Sequence, residues 1–356
     1  MKKPYSFIYI SPLLFILTWL PACNGQEKSK QNTQAYIEAI VRPNPSTDSQ
    51  IAEYIRNIYQ DKNGNFWFGT NGYGVAHYNG DSISYFSNAQ GFNGQQITGI
   101  SEDSKKNIWF ATDQGIVKYE WSSDDKGQKS FTNYADEAFF EGQRFWSIFV
   151  DSKDYVWGGA VSGIFQFDGD GWKKFELPYS TDILGEFITA GTIWSITEDQ
   201  AGNIWIGTNG DGAFKYDGHN FIQYTQEKGL ADNSVDNILE DRNGDMWFGT
   251  RYGGVSHFDG EHFENYTQND SIGNNEVCVI YEDTKGNIWM SSEGYGVYCY
   301  DHEKFINYGQ DEGLGVRAVQ TIFEDKEGRL WTGGGGGLYR FDGQRFYNVT
   351  KNGPWD

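Results

Sequence analysis

The sequence lacks several features, and each lack excludes a class of protein. Its repeated part shows no sustained helical period, which argues against a helical domain. Lysine and arginine number 28 against 49 acidic residues, so the net charge is −21 and nucleic acid or anionic lipid is a poor partner. Beyond the first 22 residues, no stretch is long and apolar enough to span a membrane.

Cysteine and histidine are scarce as well. Of three cysteines, Cys278 and Cys299 are expected one strand apart in one sheet, roughly 9–10 Å between Cα atoms, which exceeds disulfide reach. We therefore expect two free, buried thiols. No His-x-His, His-x-x-His or Glu-x-His grouping exists to hold a metal, so we expect neither a metal nor another cofactor. The histidines are His77, His219, His257, His262 and His302.

What the sequence does contain is one phrase repeated seven times. The tryptophan of each copy lies 42 or 48 residues after the last, and an apolar residue stands 12 positions before it. A fixed period of this size indicates a repeat architecture. The tryptophans are Trp67, Trp109, Trp157, Trp205, Trp247, Trp289 and Trp331.

Each repeat is interpreted as four short strands. In the fourth copy these include 203–208, 212–216 and 221–225, and in the sixth the first strand is expected at 277–282. Apolar and polar residues alternate between Gly, Asn and Asp turns. About 42 residues and four antiparallel strands are typical of a propeller blade. We predict an all-β fold, a seven-bladed β-propeller of four-stranded antiparallel blades over residues 51–352, with the repeated tryptophans packed between blades.

The first 50 residues are expected to be a targeting segment and a tether. Two lysines precede an apolar run that ends in Leu-Pro-Ala-Cys, which resembles a bacterial lipoprotein signal with Cys23 as the lipidated residue. An ordinary secretory signal is the alternative. Residues 1–22 would be removed, and 23–50 would form a tether with a possible strand at 36–41. We expect a protein of the cell envelope that touches the membrane through its lipid only, at the outer membrane and facing the periplasm.

The phrase at 196–208, Ile-Thr-Glu-Asp-Gln-Ala-Gly-Asn-Ile-Trp-Ile-Gly-Thr, with Gly-Gly-Leu-Tyr-Arg-Phe at 336–341, resembles the two-component regulator propeller repeat. That resemblance implies a recognition role like that of the periplasmic sensors of hybrid histidine kinases, which often detect polysaccharide breakdown products. Because the chain ends after the seventh unit, it implies no kinase activity. A weaker similarity to streptogramin lyase would need a histidine site, and the histidines here are not grouped for one.

One face of the predicted ring varies between blades. The loop before each first strand and the loop between strands two and three share this face, and an insertion within 177–192 lies on it. Variation is typical of a recognition surface. The residue 11 positions before each tryptophan, expected at the mouth of the central channel, also varies: Arg56, Thr98, Trp146, Trp194, Asp236, Cys278 and Gln320.

Aromatic, arginine and acidic side chains around a concave mouth suit a carbohydrate or a peptide. The predicted ligand-binding residues are Arg56, Arg144, Trp146, Trp194, Asp236, Arg251, Tyr252, Glu293 and Tyr295. The ligand would be an oligosaccharide or a partner protein, possibly a separate signalling or transport component. A purely structural alternative packs Trp146 and Trp194 under the 177–192 loop.

Two other functions stay open. An enzyme would need Asp236, Glu276 and Glu293 to converge on the channel, and an assembly scaffold would present an apolar patch on its rim. Catalysis is less favoured than binding, and no catalytic residue is predicted. The turns at 61–65 and 241–245 resemble calcium loops only superficially, because the distal glutamate of such loops is missing.

Overall fold

The computed structural model describes residues 49–121, 130–134, 140, 143–178, 191–316 and 318–355. The predicted signal peptide, Cys23 and the strand at 36–41 lie outside these residues, as does most of the 177–192 insertion. Within the described ranges, no helix is long and apolar enough to cross a membrane.

The described chain forms seven sheets of four antiparallel strands, and each sheet takes its strands in chain order. This confirms the predicted seven-bladed propeller. Blades 1 to 4 contain β1 Ile55–Gln60, β2 Phe66–Thr70, β3 Val75–Tyr78, β4 Ile83–Phe86, β5 Ile97–Glu102, β6 Ile108–Thr112, β7 Gly115–Glu120, β8 Ser130–Asn133, β9 Phe145–Val150, β10 Val156–Ala160, β11 Gly163–Phe167, β12 Trp172–Phe175, β13 Ile193–Glu198, β14 Ile204–Thr208, β15 Ala213–Tyr216 and β16 Phe221–Tyr224.

Blades 5 to 7 contain β17 Val235–Glu240, β18 Met246–Thr250, β19 Val255–Phe258, β20 Phe263–Tyr266, β21 Ile280–Glu282, β22 Ile288–Ser292, β23 Gly296–Tyr300, β24 Phe305–Tyr308, β25 Val319–Glu324, β26 Leu330–Gly334, β27 Gly337–Phe341 and β28 Phe346–Val349. Single 3₁₀ turns at Asn88–Gln90 and Gln226–Lys228 are the helical segments of the described chain.

An aspartate in each first hairpin explains why the tryptophan repeats. In blade 4, Asp199 Oδ1 accepts the backbone N–H groups of Ala201 and Asn203 at 3.1 and 2.8 Å, and Oδ2 accepts Trp205 Nε1–H at 2.9 Å. The same aspartate–tryptophan bond recurs in all seven blades at 2.7–3.0 Å. The seven tryptophans are 0–4% exposed. They are core residues, as predicted, and each indole N–H is satisfied inside its own turn.

Glutamates join the first hairpin turns of five blades to the next blade, and Asp154 does so for blade 2. Glu240 Oε2 accepts the backbone N–H of Gln200 at 2.6 Å, and Glu324 Oε2 accepts that of Thr284 at 2.7 Å. The same link closes the ring, where Gln60 Oε1 accepts the Lys326 N–H at 2.9 Å. The acidic pairs that recur with the scaffold are therefore structural.

The ring closes without exchanging a strand, because blade 7 takes all four strands from 319–349 and blade 1 takes its own from 55–86. Isolated bridges pair Tyr54 with Gly335 and Gln50 with Thr350. Trp355 stacks on Tyr78 of blade 1, with 4.0 Å between ring centroids. Blades 7 and 1 are thus held by segments on both sides of the seam.

Blade 6 departs from the expected pattern. Its first strand was predicted to start at Val277, but β21 begins at Ile280, so the placement of Cys278 on a strand was wrong. Ser291 stands where most blades have glycine, and its Oγ accepts the N–H groups of Cys278 and Val279 at 2.9 and 3.2 Å, in place of ladder bonds. Both thiols are free, as predicted. Cys299 is buried, but Cys278 is only partly so.

Candidate functional site

In every blade except blade 6, a β-bulge directs one residue of the inner strand into a shared cavity. In six blades the pairing of the first two strands shifts by one residue 11 positions before the tryptophan. The residue just before the bulge is at most 3% exposed. A bulge redirects a side chain. The residue before the bulge therefore packs in the core, while the variable residue at the bulge faces the cavity. The bulged residues are Arg56, Thr98, Trp146, Trp194, Asp236 and Gln320.

The six bulged residues and Cys278 line one cavity of about 600 Å³, which we call the channel cavity. Asn237, Arg251 and Glu276 also contribute to its wall. Nine positions before each tryptophan stands an isoleucine, 4–8% exposed in all seven blades. The repeated isoleucines pack the blades, whereas the non-repeated residues give this cavity its chemistry.

Four side chains from blades 3 to 5 form a continuous arc at the cavity. The rings of Trp146 and Trp194 meet edge to face, with 4.8 Å between centroids and an interplanar angle of 61°. The guanidinium carbon of Arg144 lies 5.2 Å from the Trp146 ring, and that of Arg251 lies 4.6 Å from the Trp194 ring. Within the described chain, neither indole N–H has an acceptor, although both nitrogens are buried.

Arg251 is held by an ion pair with Asp236. Its Nη2–H bonds reach both carboxylate oxygens at 3.1 and 3.0 Å, and Nε–H donates to Oδ2 at 3.2 Å. Burial raises the pKa of Asp236 to about 6; Arg251 offsets part of this shift, and the nearby charge of Glu276 adds to it. A half-buried guanidinium fixed in this way is pre-organised over Trp194.

Arg144 and Arg56 are positioned by neutral amides. Arg144 Nη1–H donates to Gln96 Oε1 at 2.8 Å, Gln96 Nε2–H donates to Asn71 Oδ1, and Arg56 Nε–H approaches the same oxygen at 3.4 Å. The guanidinium of Arg56 also lies 5.3 Å from the Tyr54 ring. Blades 1 to 3 thus place two positive charges at the two ends of one chain of amide hydrogen bonds.

Four of the predicted site residues lie outside the cavity wall, and one of them, Arg144, borders it through its contact with the Trp146 ring. Tyr252 and Tyr295 are 67% and 51% exposed on the loops after β18 and β22. Glu293 adjoins the cavity, since its N–H donates to the Glu276 carbonyl at 3.1 Å. Burial, followed by the charge of Glu276, raises the pKa of the Glu293 carboxyl. The structure therefore brings together Arg56, Arg144, Trp146, Trp194, Asp236 and Arg251, and leaves the two tyrosines on the rim.

Sequence reasoning missed the amides Gln96 and Asn71. Their positions in the repeat could have identified them. In every blade, the backbone N–H of the residue four after the tryptophan donates to the carbonyl of the residue 13 before that tryptophan, at 2.9–3.4 Å. Both positions vary between blades, like the bulge between them. Gln96, Arg144 and Glu276 stand 13 residues before their tryptophans, and Asn71, Arg251 and Glu293 stand four residues after theirs.

The calcium-like turn at 241–245 is a hairpin. Its two aspartates and His257 have ligand atoms within 4.8 Å of one another. However, Asp241 accepts N–H groups from Asn243, Asp245 and Trp247 at 2.8–3.1 Å, as the matching aspartates of other blades do. The carboxylates of this turn therefore have the same structural role as those of the other blades, and calcium binding is not needed to explain them.

Five segments match the model of the two component regulator propeller: residues 49–72, 91–114, 188–210, 229–252 and 271–294. The chain carries two component regulator propeller repeats. All five segments include the start of a blade and its repeated tryptophan, and all but 271–294 also include the bulge described above. No curated protein matches this repeat protein significantly in sequence.

Several solved structures share the propeller fold. The extracellular domain of the putative hybrid two component system BT3049 from B. thetaiotaomicron is 23% identical (TM-score 0.69) over 86% of this chain, which spans 40% of that domain's length. PorZ, a surface component of the type-IX secretion system of Porphyromonas gingivalis, is 15% identical (TM-score 0.61), covering 83% of this chain and 47% of PorZ. At such identities the likeness concerns the fold alone.

A streptogramin B lyase structure is 16% identical (TM-score 0.64) and covers 82% of this chain and 93% of the lyase. In the propeller described here, no histidine lines the channel cavity. His77 and His257 instead lie on third strands against Trp67 and Trp247, with 4.2 and 4.4 Å between ring centroids.

Proposed function

We propose that this propeller is an exported, lipid-anchored recognition module that binds an oligosaccharide in the channel cavity. The observation that carries the proposal is the edge-to-face pair of Trp146 and Trp194, flanked by Arg144 and Arg251. These tryptophans differ from the seven core tryptophans because they belong to two blades only and their indole N–H groups lack an acceptor in the described chain.

The chemistry of the arc suits a sugar. An aromatic ring offers apolar area at low conformational cost, while indole N–H and guanidinium groups donate to hydroxyl oxygens. A pocket of about 600 Å³ lies in the usual range for small ligands, and it combines an aromatic surface with a few placed polar groups. A saccharide with an apolar ring face and a rim of hydroxyls would satisfy both kinds of group.

Export and anchoring are part of the proposal. The Leu-Pro-Ala-Cys sequence ending at Cys23 supports a lipid anchor in the cell envelope, at the outer membrane and facing the periplasm. BT3049, which has the same fold, is described as an extracellular domain. A separate signalling or transport component would then respond to the loaded propeller.

Isothermal titration calorimetry with a panel of neutral and charged oligosaccharides tests the proposal. We expect one saccharide class to bind, and Trp146→Ala and Trp194→Ala to weaken its affinity about tenfold or more, since each removes an aromatic anchor. Trp121→Ala is the matched control, because this 40% exposed tryptophan lies outside the cavity. Absence of binding by every saccharide, or full affinity in both cavity variants, would refute the proposal.

One observation favours a second function. The pKa of Asp236, raised by burial to about 6, lies near the value that suits a general acid, and Glu276 lines the same cavity. The bound saccharide should then be cleaved, with turnover lost in Asp236→Asn. Chromatography of the saccharide after prolonged incubation distinguishes the two functions, since a binding module returns it intact.

A further inference from the structure

Arg56 lines the channel cavity and Arg144 borders it, and neither has an acidic partner among the described residues. Among the described residues, no carboxylate lies within 4.0 Å of the guanidinium nitrogens of Arg56 or Arg144. Their hydrogen-bond acceptors are the amides of Asn71 and Gln96. Arg251, in the same cavity, is chelated by Asp236, so the absence of a carboxylate is particular to blades 1 to 3.

The two charges disfavour each other. Both side chains are half-buried. Burial lowers the pKa of Arg56 below its usual value, and the positive charge of Arg144 adds to that shift. Like charges held close together in a partly desolvated site raise the free energy of the empty protein. An anion that binds between them would offset this unfavourable free energy. The protein as a whole carries a net charge of −21, so a positively charged site contrasts with the rest of the protein.

The cavity is polarised. Asp236 and Glu276 line its far side on blades 5 and 6, and Glu293 adjoins Glu276. In ring order, the tryptophan pair of blades 3 and 4 lies between Arg144 and this acidic side, whereas blade 7 separates Arg56 of blade 1 from blade 6. A sugar ring that packs against Trp146 would lie close to Arg144, whose guanidinium carbon is 5.2 Å from the indole centroid.

We propose that the saccharide bound in the channel cavity is anionic, and that Arg56 and Arg144 receive its carboxylate or sulfate group. This inference rests on the proposed function and specifies its ligand. The forked donors of a guanidinium match both groups. The pair of Arg251 and Asp236 shows the same recognition with a carboxylate that the protein supplies itself.

The test compares ligands that differ in charge alone. Oligogalacturonate, oligomannuronate and oligoguluronate are each titrated as the free acid and as the methyl ester of equal length. Sulfated galactans are titrated before and after desulfation. We expect one charged form to bind about tenfold or more tightly than its uncharged counterpart, since a charge-assisted contact is lost in the latter. The pair that shows the preference identifies carboxylate or sulfate.

Variants locate the preference. Arg56→Gln and Arg144→Gln should each reduce the ratio between charged and uncharged ligand, and the double variant should bring it to about one. Arg345→Gln is the control, because it removes the same charge from an exposed turn outside the cavity. Should a variant fail to fold, the salt dependence of the wild-type affinity decides. The affinity for the charged ligand should fall as salt is added, whereas the affinity for the uncharged ligand should not change.

The outcomes separate this inference from the proposed function. Equal affinity for charged and uncharged forms, or a preference that survives in the double variant, overturns the anionic ligand and leaves saccharide binding in place. Failure of every saccharide to bind, charged or neutral, refutes both.

Discussion

Arg251 lies 4.6 Å above the ring of Trp194 while its Nη2–H groups hold both oxygens of Asp236. The three side chains come from two blades. Neither the arginine nor the aspartate recurs at its position in another blade, and the tryptophan recurs only as Trp146 of blade 3. Against a scaffold in which one aspartate–tryptophan bond occurs seven times, this arrangement is specific to one sector of the ring. It is the kind of deviation from a local rule that marks a functional site.

Tryptophans of the two kinds should respond differently to truncation. Trp205→Ala should lower the free energy of unfolding by about 3–5 kcal/mol, as large aromatic core truncations do, because Trp205 is 2% exposed and bonded to Asp199. Trp146→Ala should cost much less, since its ring faces a cavity. Urea denaturation measures both, and similar losses would make Trp146 a core residue.

Stability should depend on pH through Asp236. Its pKa of about 6 exceeds the unfolded value of about 3.9, so the folded state binds the extra proton. This contribution is fully present below about pH 4 and is lost as the pH rises through 6, amounting to at most about 3 kcal/mol. The unfolding free energy of Asp236→Asn, subtracted from that of the wild type between pH 4 and 7, isolates it. A flat difference would contradict the assignment.

The links between blades can be measured singly. Glu324→Ala leaves the Thr284 N–H and hydroxyl, now bonded at 2.7 and 3.0 Å, without their charged acceptor, and should cost about 1.5–3 kcal/mol. Exposed Glu303 provides the control, since Glu303→Ala should change stability by at most about 0.5 kcal/mol. Chemical denaturation of both variants suffices, and equal effects would show that the link contributes nothing.

Both propeller thiols should react slowly. Burial raises the pKa of the Cys278 thiol well above its usual value and that of Cys299 to about 12, so little thiolate exists at neutral pH. Iodoacetamide at pH 7.5 followed by peptide mapping should find both largely unmodified in the native protein and alkylated in denaturant. Rapid native alkylation of Cys278 would mean that the cavity is more open and polar than described.

Much of the fold follows from the sequence because each blade repeats the same local instructions. The second strand predicted at 203–208 is observed at Ile204–Thr208, since alternation and the Asp–Gly turn set its limits. The short β21 was not predicted, because it is shortened by hydrogen bonds from the N–H groups of Cys278 and Val279 to the Ser291 hydroxyl, which lies on the neighbouring strand. The hydrogen bond between Gln60 and Lys326 that helps close the ring joins distant parts of the chain, and a local sequence pattern does not predict such a contact.

The site was predictable only in part. Four predicted residues, Arg56, Trp146, Trp194 and Asp236, meet at the cavity because the bulge lies at a constant distance from the tryptophan, so this variable position was visible from spacing. Tyr252 and Tyr295 were grouped with them from residue type, but loop length decides whether a side chain reaches the cavity. Gln96 and Asn71 were missed because polar amides near turns are common and their bonds connect separate blades.

The bulge also has an evolutionary consequence. It separates each blade's contribution to the channel from the ladder and core that fold the blade, so the two can change independently. Duplicating a blade would copy its folding instructions, and a single substitution at the bulge would then alter the chemistry of the lumen. A library randomised at Arg56, Thr98, Trp146, Trp194, Asp236, Cys278 and Gln320 would therefore explore new ligand specificities on an unchanged scaffold.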